Sequence, residues 1–159
     1  MIRRPRHEPS FSLVEVTLAL GVAAISLLVI FSLLPIGLQT NQRSIEQTAS
    51  ADLLSAIAAD LRATPVTNPR GGTATSSQFS VPIPAAGSTG STTLYFNSTG
   101  QSATSLQPDS RYRVTINFLS NGSGTKTATF ADLKVTWPAG APVANAQGSA
   151  EMFAAFDRN

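Results

Sequence analysis

The stretch "SFSLVEVTLALGVAAISLLVIFSLL" (residues 10–34) decides the fold of this chain of 159 residues. Residues 16–38 carry no charge. As a helix rising about 1.5 Å per residue, they are long enough to cross a hydrocarbon core about 30 Å thick. The stretch therefore predicts one membrane-spanning helix. Glu15 is the exception within it, because a carboxylate at this depth needs some compensation for leaving water.

The charges on either side of this stretch indicate its orientation. Residues 1–10 form a basic leader, and the next positive residue is Arg43. The positive-inside rule then places the N-terminus in the cytoplasm and the rest of the chain outside. A cleaved secretory signal peptide is the alternative, but its apolar region is usually about 7 to 15 residues long and ends at a small-x-small site. Here the exit "LLPIGLQTNQ" (residues 33–42) has no clear site of that kind.

Composition excludes several classes of function. The chain has no cysteine and one histidine, His7, which lies in the leader. Disulfides, thiolate metal sites and cysteine nucleophiles are therefore unavailable. Three of the 11 basic residues and one of the nine acidic residues lie in the leader, so residues 11–159 are neutral overall. We expect no broad nucleic-acid binding, no cofactor and no enzymatic activity, because no G-x-S-x-G, paired-carboxylate or phosphate-loop motif occurs.

A second helical pattern follows the apolar stretch. Pro35 and Gly37 predict a kink or break near Leu34, because proline removes a backbone donor and crowds the preceding turn. Residues 39–64 then predict an amphipathic helix that ends before Pro65. Its apolar stripe comprises Ile45, Ala49, Leu53, Ile57 and Leu61, flanked by Leu54, Ala56 and Ala58. The charged residues of this segment lie mostly elsewhere on the wheel, and they include Glu46, Asp52, Asp60 and Arg62.

The remaining sequence predicts a β-rich domain. Strands are expected at residues 78–83, 92–97, 111–119, 128–137 and 150–156. The third is the clearest, because Tyr112, Val114, Ile116 and Phe118 alternate with polar residues. "SNGSGTK" (residues 120–126) suits a hairpin loop, which makes the third and fourth strands antiparallel neighbours. The predicted class is α+β, with a long N-terminal helix packed on a small antiparallel sheet.

The predicted domain organisation has four parts. Residues 1–10 form the basic leader, and residues 11–38 form the transmembrane and assembly helix. Residues 39–64 form the amphipathic helix of the outer domain, and residues 65–159 form the β-rich globular domain.

The motif "FSLVE" (residues 11–15), placed after a basic leader and before an apolar helix, resembles the prepilin signature of the type IV filament superfamily. That superfamily comprises type IV pilins and type II secretion pseudopilins, so the resemblance implies a pilin-like fold. In the family, a prepilin peptidase cuts before the Phe and methylates the new amine. The resemblance therefore places the processing site between Ser10 and Phe11. Ser10 stands where the family usually has Gly.

The same resemblance gives Glu15 a role in assembly. In the family this glutamate is thought to neutralise the N-terminal amine of an adjacent subunit as it docks into the filament. Phe11 and Glu15 are separated by about 6 Å of helix rise, so the new amine and the carboxylate lie at nearly the same depth. The alternative interpretation is that Glu15 lies at the headgroup level and reaches water by itself.

The rest of the chain resembles one group within this superfamily, the pilin-type proteins called Verru_Chthon cassette protein B. Four segments carry this likeness: "LLPIGL" (residues 33–38), "YRVTINF" (112–118), "LKVTWPAG" (133–140) and the ending "FDRN" (156–159). The "VTWP" strand is also similar to minor pilins and to the minor pseudopilin I. The likeness to the cassette proteins implies architecture more than mechanism.

Taken together, these features predict a prepilin-like structural subunit, a minor component of a type IV pilus or of a type II secretion-like pseudopilus. The expected location is the inner membrane, single-pass, with a cytoplasmic N-terminus and a periplasmic C-terminal domain. The expected partners are that membrane, the prepilin peptidase, other pilin-like subunits and the assembly machinery. The alternative is a membrane-anchored binding module with a periplasmic β-domain that does not polymerise.

Other residues give weaker signals. Asp109, Asp132 and Asp157 lack compact D-x-D-x-D spacing, which favours solvated loop carboxylates over a calcium site. Trp137, next to Pro138, is expected to be a core residue at a strand end. The glycosylation sequons at residues 97–99 and 121–123 are short enough to occur by chance, so no role is assigned to them.

Overall fold

The chain folds into one long helix followed by short strands. The computed structural model describes residues 12–65, 73–85, 88–120 and 128–156. The elements in chain order are α1 (Leu13–Ala63), β1 (Ala74–Thr75), β2 (Pro82–Ile83), β3 (Gly90–Asn97), β4 (Ser102–Ala103), β5 (Ser110–Leu119), β6 (Thr129–Trp137), a 3₁₀ turn (Val143–Asn145) and β7 (Gly148–Phe156). The second part of α1 packs on a small antiparallel sheet, which confirms the predicted α+β class.

The helix α1 continues through Pro35, so of the predicted kink or break near Leu34 the break is wrong. Proline removes one backbone donor and costs about 3 kcal/mol inside a helix. Ending the helix there would leave several carbonyls without partners instead of one. The apolar residues on both sides of Pro35 are good helix formers, and they maintain the remaining ladder of hydrogen bonds.

The structure divides into two units, Met1–Ser44 and Ile45–Asn159. Within the first unit, the described residues belong almost entirely to α1. The second unit contains the rest of α1 and all seven strands.

The main sheet of the second unit has the strand order β4-β3-β5-β6-β7, and every neighbouring pair is antiparallel. The central pairing of β5 with β6 confirms the predicted antiparallel neighbours and aligns Val114 with Val135. The loop predicted to connect them lies mostly at residues 121–127, outside the described residues. The sheet therefore has β5 near its centre and β7 at one edge.

The first predicted strand, residues 78–83, is only partly correct. Just Pro82 and Ile83 form β2, which pairs with β1 in a separate two-stranded sheet. Gln78 and Phe79 lie in a turn because their backbone N–H groups bind the Asp60 carboxylate. An N–H group used in this way cannot also pair in a strand ladder.

The core lies between α1 and one face of the main sheet. The predicted alternation in β5 is confirmed, because its apolar residues at positions 112, 114, 116 and 118 are all buried. On α1, Ile57 and Leu61 are buried against them, whereas Ile45 is 58% exposed. The apolar contact of α1 with the core begins at Ala49. The predicted stripe is therefore correct from Ala49 onward and wrong at Ile45.

Candidate functional site

The predicted processing and assembly residues lie at the N-terminal end of the chain. Ser10 and Phe11 are outside the described residues. Glu15 lies in the first turn of α1 and is exposed. Its backbone N–H donates to the Ser12 carbonyl at 3.0 Å. A carboxylate in the first turn is stabilised by the positive end of the helix dipole, which offsets part of the cost of its charge.

The surface of α1 on both sides of Glu15 is apolar. The large apolar side chains of α1 from Leu13 to Leu38 are between 47% and 81% exposed. By length and composition, this one helix could cross a membrane. Contiguous apolar surface of this extent is unfavourable in water and indicates contact with lipid or with other apolar helices.

The hydroxyl groups of this surface are satisfied within the helix. Each donates to a carbonyl three or four residues earlier, at 2.7 to 2.9 Å, and the donors are Thr17, Ser26, Ser32 and Thr40. Such bonds lower the cost of placing a hydroxyl in hydrocarbon. Glu15 is then the one ionisable side chain between Ser12 and Gln42. Any electrostatic function of this segment must therefore involve Glu15.

A buried carboxylate that the sequence analysis did not identify organises the second unit. Asp60 is 6% exposed, near the end of α1. Its Oδ1 accepts from the backbone N–H of Gln78 at 3.0 Å and from Ser77 Oγ at 3.3 Å. Its Oδ2 accepts from the backbone N–H of Phe79 at 3.1 Å, and Ser76 also bonds to the carboxylate. Asp60 thus fixes the turn that follows β1.

The pKa of Asp60 reflects these contacts. Burial alone would raise it, but the hydrogen bonds from Ser76, Gln78, Phe79 and Ser77 favour the charged form and outweigh burial. The net effect is a pKa below the ordinary value of 3.8. The helical pattern placed Asp60 away from the apolar stripe, whereas the residue is buried because the turn after β1 supplies donors to its carboxylate.

An ion pair joins α1 to the start of β5. Arg111 Nη2 donates to Glu46 Oε1 at 2.7 Å, and the Glu46 side chain is 17% exposed. The hydrogen bond to Glu46 raises the pKa of Arg111. The pair lines an open pocket of about 390 Å³ that also contacts Trp137. Trp137 is 8% exposed at the end of β6, which confirms its predicted place in the core.

The outer face of β6 and β7 carries three charged side chains beside a pair of aromatic rings. Lys134 Nζ lies 3.3 Å from Glu151 Oε2. Burial raises the pKa of Asp132, and the charge of Glu151 raises it further. Next to them, the rings of Phe130 and Phe153 stack with centroids 5.7 Å apart. This face therefore combines two carboxylates, one ammonium group and exposed aromatic surface.

Of the three aspartates considered for calcium, the two that the structure describes lie on different elements. Asp109 accepts a hydrogen bond from Asn97 Nδ2 at 3.2 Å at the turn before β5. Asp132 lies within β6 and is half-buried, so its prediction as a solvated loop residue is wrong. Asp157 lies outside the described residues. Residues 12–65, 73–85, 88–120 and 128–156 contain no group of three or more side chains suited to a metal ion.

Comparisons with known proteins return no match, whether to a family model, to a curated protein or to a solved structure.

Proposed function

We propose that the chain is a prepilin-like structural subunit of the type IV filament superfamily, without enzymatic activity. The observation that carries this proposal is the position of the "FSLVE" motif, whose last three residues are the first three of α1. The same helix is exposed and apolar in its first part, and its second part packs on an antiparallel sheet. A subunit that moves from a membrane into a filament needs an exposed apolar part for the lipid and an amphipathic part that packs on its own globular domain.

In this proposal the leader is removed by a prepilin peptidase between Ser10 and Phe11. The processed chain stays in the inner membrane, with its C-terminal domain in the periplasm. It then joins a pilus or a secretion pseudopilus as a minor subunit. The free amine of Phe11 and the carboxylate of Glu15 on a neighbouring copy pair at the same depth, which replaces two unfavourable isolated charges with one pair.

Mass spectrometry of the native protein from membranes tests the processing step. The expected N-terminus is a methylated Phe11. A Ser10→Gly variant should be cut at the same bond, and a Ser10→Leu variant should stay uncut because the peptidase needs a small residue there. An intact Met1, or a cut after Leu38, would contradict the proposal. The former result would favour a membrane-anchored binding module that does not polymerise.

A further inference from the structure

The strand β7 forms one edge of the main sheet over its whole length. Its nine residues pair with β6 in continuous register from Trp137↔Gly148 to Thr129↔Phe156. No strand within the described residues pairs with its other side. Alternate backbone N–H and C=O groups of β7 therefore face away from the sheet, where a further strand can bind them.

This edge has few of the features that usually prevent strand addition. Proteins protect long edges with proline, charged side chains (lysine above all), bulges or very short strands, and β7 carries one charge, Glu151. The sequence of β7, GSAEMFAAF, contains no proline and no basic residue, and its register with β6 shows no bulge. The opposite edge is interrupted, because the two-residue β4 pairs with Tyr95 and Phe96 and leaves the first part of β3 as the edge there. Of the two sides of the main sheet, β7 thus offers the longer continuous edge.

Side chains beside β7 indicate the chemistry of that strand. Phe153 is 62% exposed and extends the apolar surface of Phe130 to the edge. Asp132 and Glu151 supply two carboxylates against the single ammonium group of Lys134. The outer face beside the edge is therefore net negative, whereas on the inner face the guanidinium of Arg62 lies 5.9 Å from the ring of Phe156 at the end of β7. A second copy would bring the same net negative charge to the outer face, whereas a basic segment would neutralise it.

We propose that β7 binds an extended segment of a partner protein as an additional antiparallel strand. The segment carries a Lys or Arg opposite Glu151 and apolar side chains on the face of Phe153. Main-chain hydrogen bonds supply the affinity, and the alternating side chains supply the selectivity. This inference does not depend on cleavage before Phe11, so it and the proposed function can fail separately.

Hydrogen exchange of the full chain in detergent micelles tests this proposal. The probe is a blocked nine-residue peptide, matched in antiparallel register to β7, with threonine at odd positions and valine at even positions except for a lysine at the sixth, opposite Glu151. At millimolar peptide, we expect the outward-facing amides of β7 to exchange about tenfold more slowly. The same peptide with alternate amides N-methylated should give no protection, because it cannot donate to the edge.

A charge reversal tests the selectivity. Glu151, whose side chain is 57% exposed, is changed to lysine. The E151K variant should prefer the same peptide with glutamate at its sixth position over the one with lysine there. The matched control D52K, on the exposed surface of α1, should keep the original preference.

Three results would overturn the proposal. The first is no protection of β7 by the lysine peptide. The second is equal protection by the N-methylated peptide, which would show that side chains alone make the contact. The third is protection that rises with protein concentration when no peptide is present, since it would identify a second copy as the occupant.

Discussion

The backbone N–H of Phe79 donates to Asp60 Oδ2 at 3.1 Å, so a carboxylate on α1 fixes the turn between β1 and β2. This turn brings Phe79 edge-on to Phe96, with ring centroids 5.5 Å apart. It also buries Val81 completely. The charge of Asp60 lies in the last turn of α1, where the helix dipole disfavours it. The hydrogen bonds to the turn offset that cost.

The first prediction concerns the removal of this carboxylate. Asp60→Ala leaves the backbone N–H of Gln78 and that of the buried Phe79 without their acceptor, which should lower the free energy of unfolding by about 1 to 3 kcal/mol. Urea unfolding followed by the fluorescence of Trp137, the single tryptophan, measures this change. The control Asp52→Ala removes an exposed carboxylate from the same helix and should change stability by less than about 0.5 kcal/mol. Equal effects of the two variants would contradict the role of Asp60.

The second prediction concerns the stability of the fold at acid pH. The pKa of Asp60 is lowered in the folded chain. A carboxylate with a lowered pKa stabilises the fold fully at pH values above its pKa in the unfolded chain. This contribution is lost as the pH falls through its pKa in the folded chain. Between about pH 5 and about pH 2, the unfolding midpoint of the parent chain should therefore fall more steeply than that of Asp60→Asn. Parallel curves for the two proteins would show that Asp60 does not contribute to acid sensitivity.

The sequence predicted the features that depend on periodicity. The alternation of Tyr112 and Val114 with polar residues identified β5, and the four-residue repeat from Ala49 to Leu61 identified the buried stripe of α1. Both patterns follow from local geometry, in which a side chain's face depends only on its position in the element. The long helix and the antiparallel sheet were predictable for this reason.

Features that depend on tertiary contacts were not predictable in the same way. Asp60 is buried because a turn distant in sequence supplies its donors, and Ile45 is exposed because the apolar contact of α1 with the core begins at Ala49. Pro35 stays inside α1 because the cost of one missing bond is smaller than that of ending the helix. Each of these outcomes depends on a balance between free energies of burial, hydrogen bonding and helix formation. A pattern of residue types does not contain that balance.

The third prediction concerns the close approach of β7 to Trp137. A Cβ atom added at Gly148 would overlap the Trp137 ring atoms Cζ2 and Cε2, whereas one added at Gly140 would meet no atom within 4 Å. Because Trp137 is buried, the ring has little room to move. Gly148→Ala should therefore lower the free energy of unfolding by about 1 to 3 kcal/mol. The control Gly140→Ala should stay within about 0.5 kcal/mol of the parent. Chemical denaturation of both variants measures the difference, and a neutral Gly148→Ala would show that the ring can adjust.

The last prediction concerns Glu15 in the proposed assembly. Glu15→Ala removes the one ionisable side chain between Ser12 and Gln42, so membrane insertion should remain intact. A neighbour's amine would then stay unpaired in hydrocarbon, which costs about 2.5 to 3.5 kcal/mol on insertion scales. We therefore expect incorporation into filaments or assembly complexes to fall at least about tenfold, measured by immunoblotting of membrane and assembled fractions.

Two further variants separate charge from packing at this position. Glu15→Gln keeps the size of the side chain and removes its charge, so it should impair assembly about as strongly as Glu15→Ala. Thr17→Ala removes a hydroxyl that is already bonded to the Val14 carbonyl at 2.9 Å within the same helix, and it should assemble normally. If Glu15→Gln assembled as well as the parent chain, the carboxylate would not neutralise an amine. Glu15 would then be an exposed residue at the headgroup level that reaches water by itself.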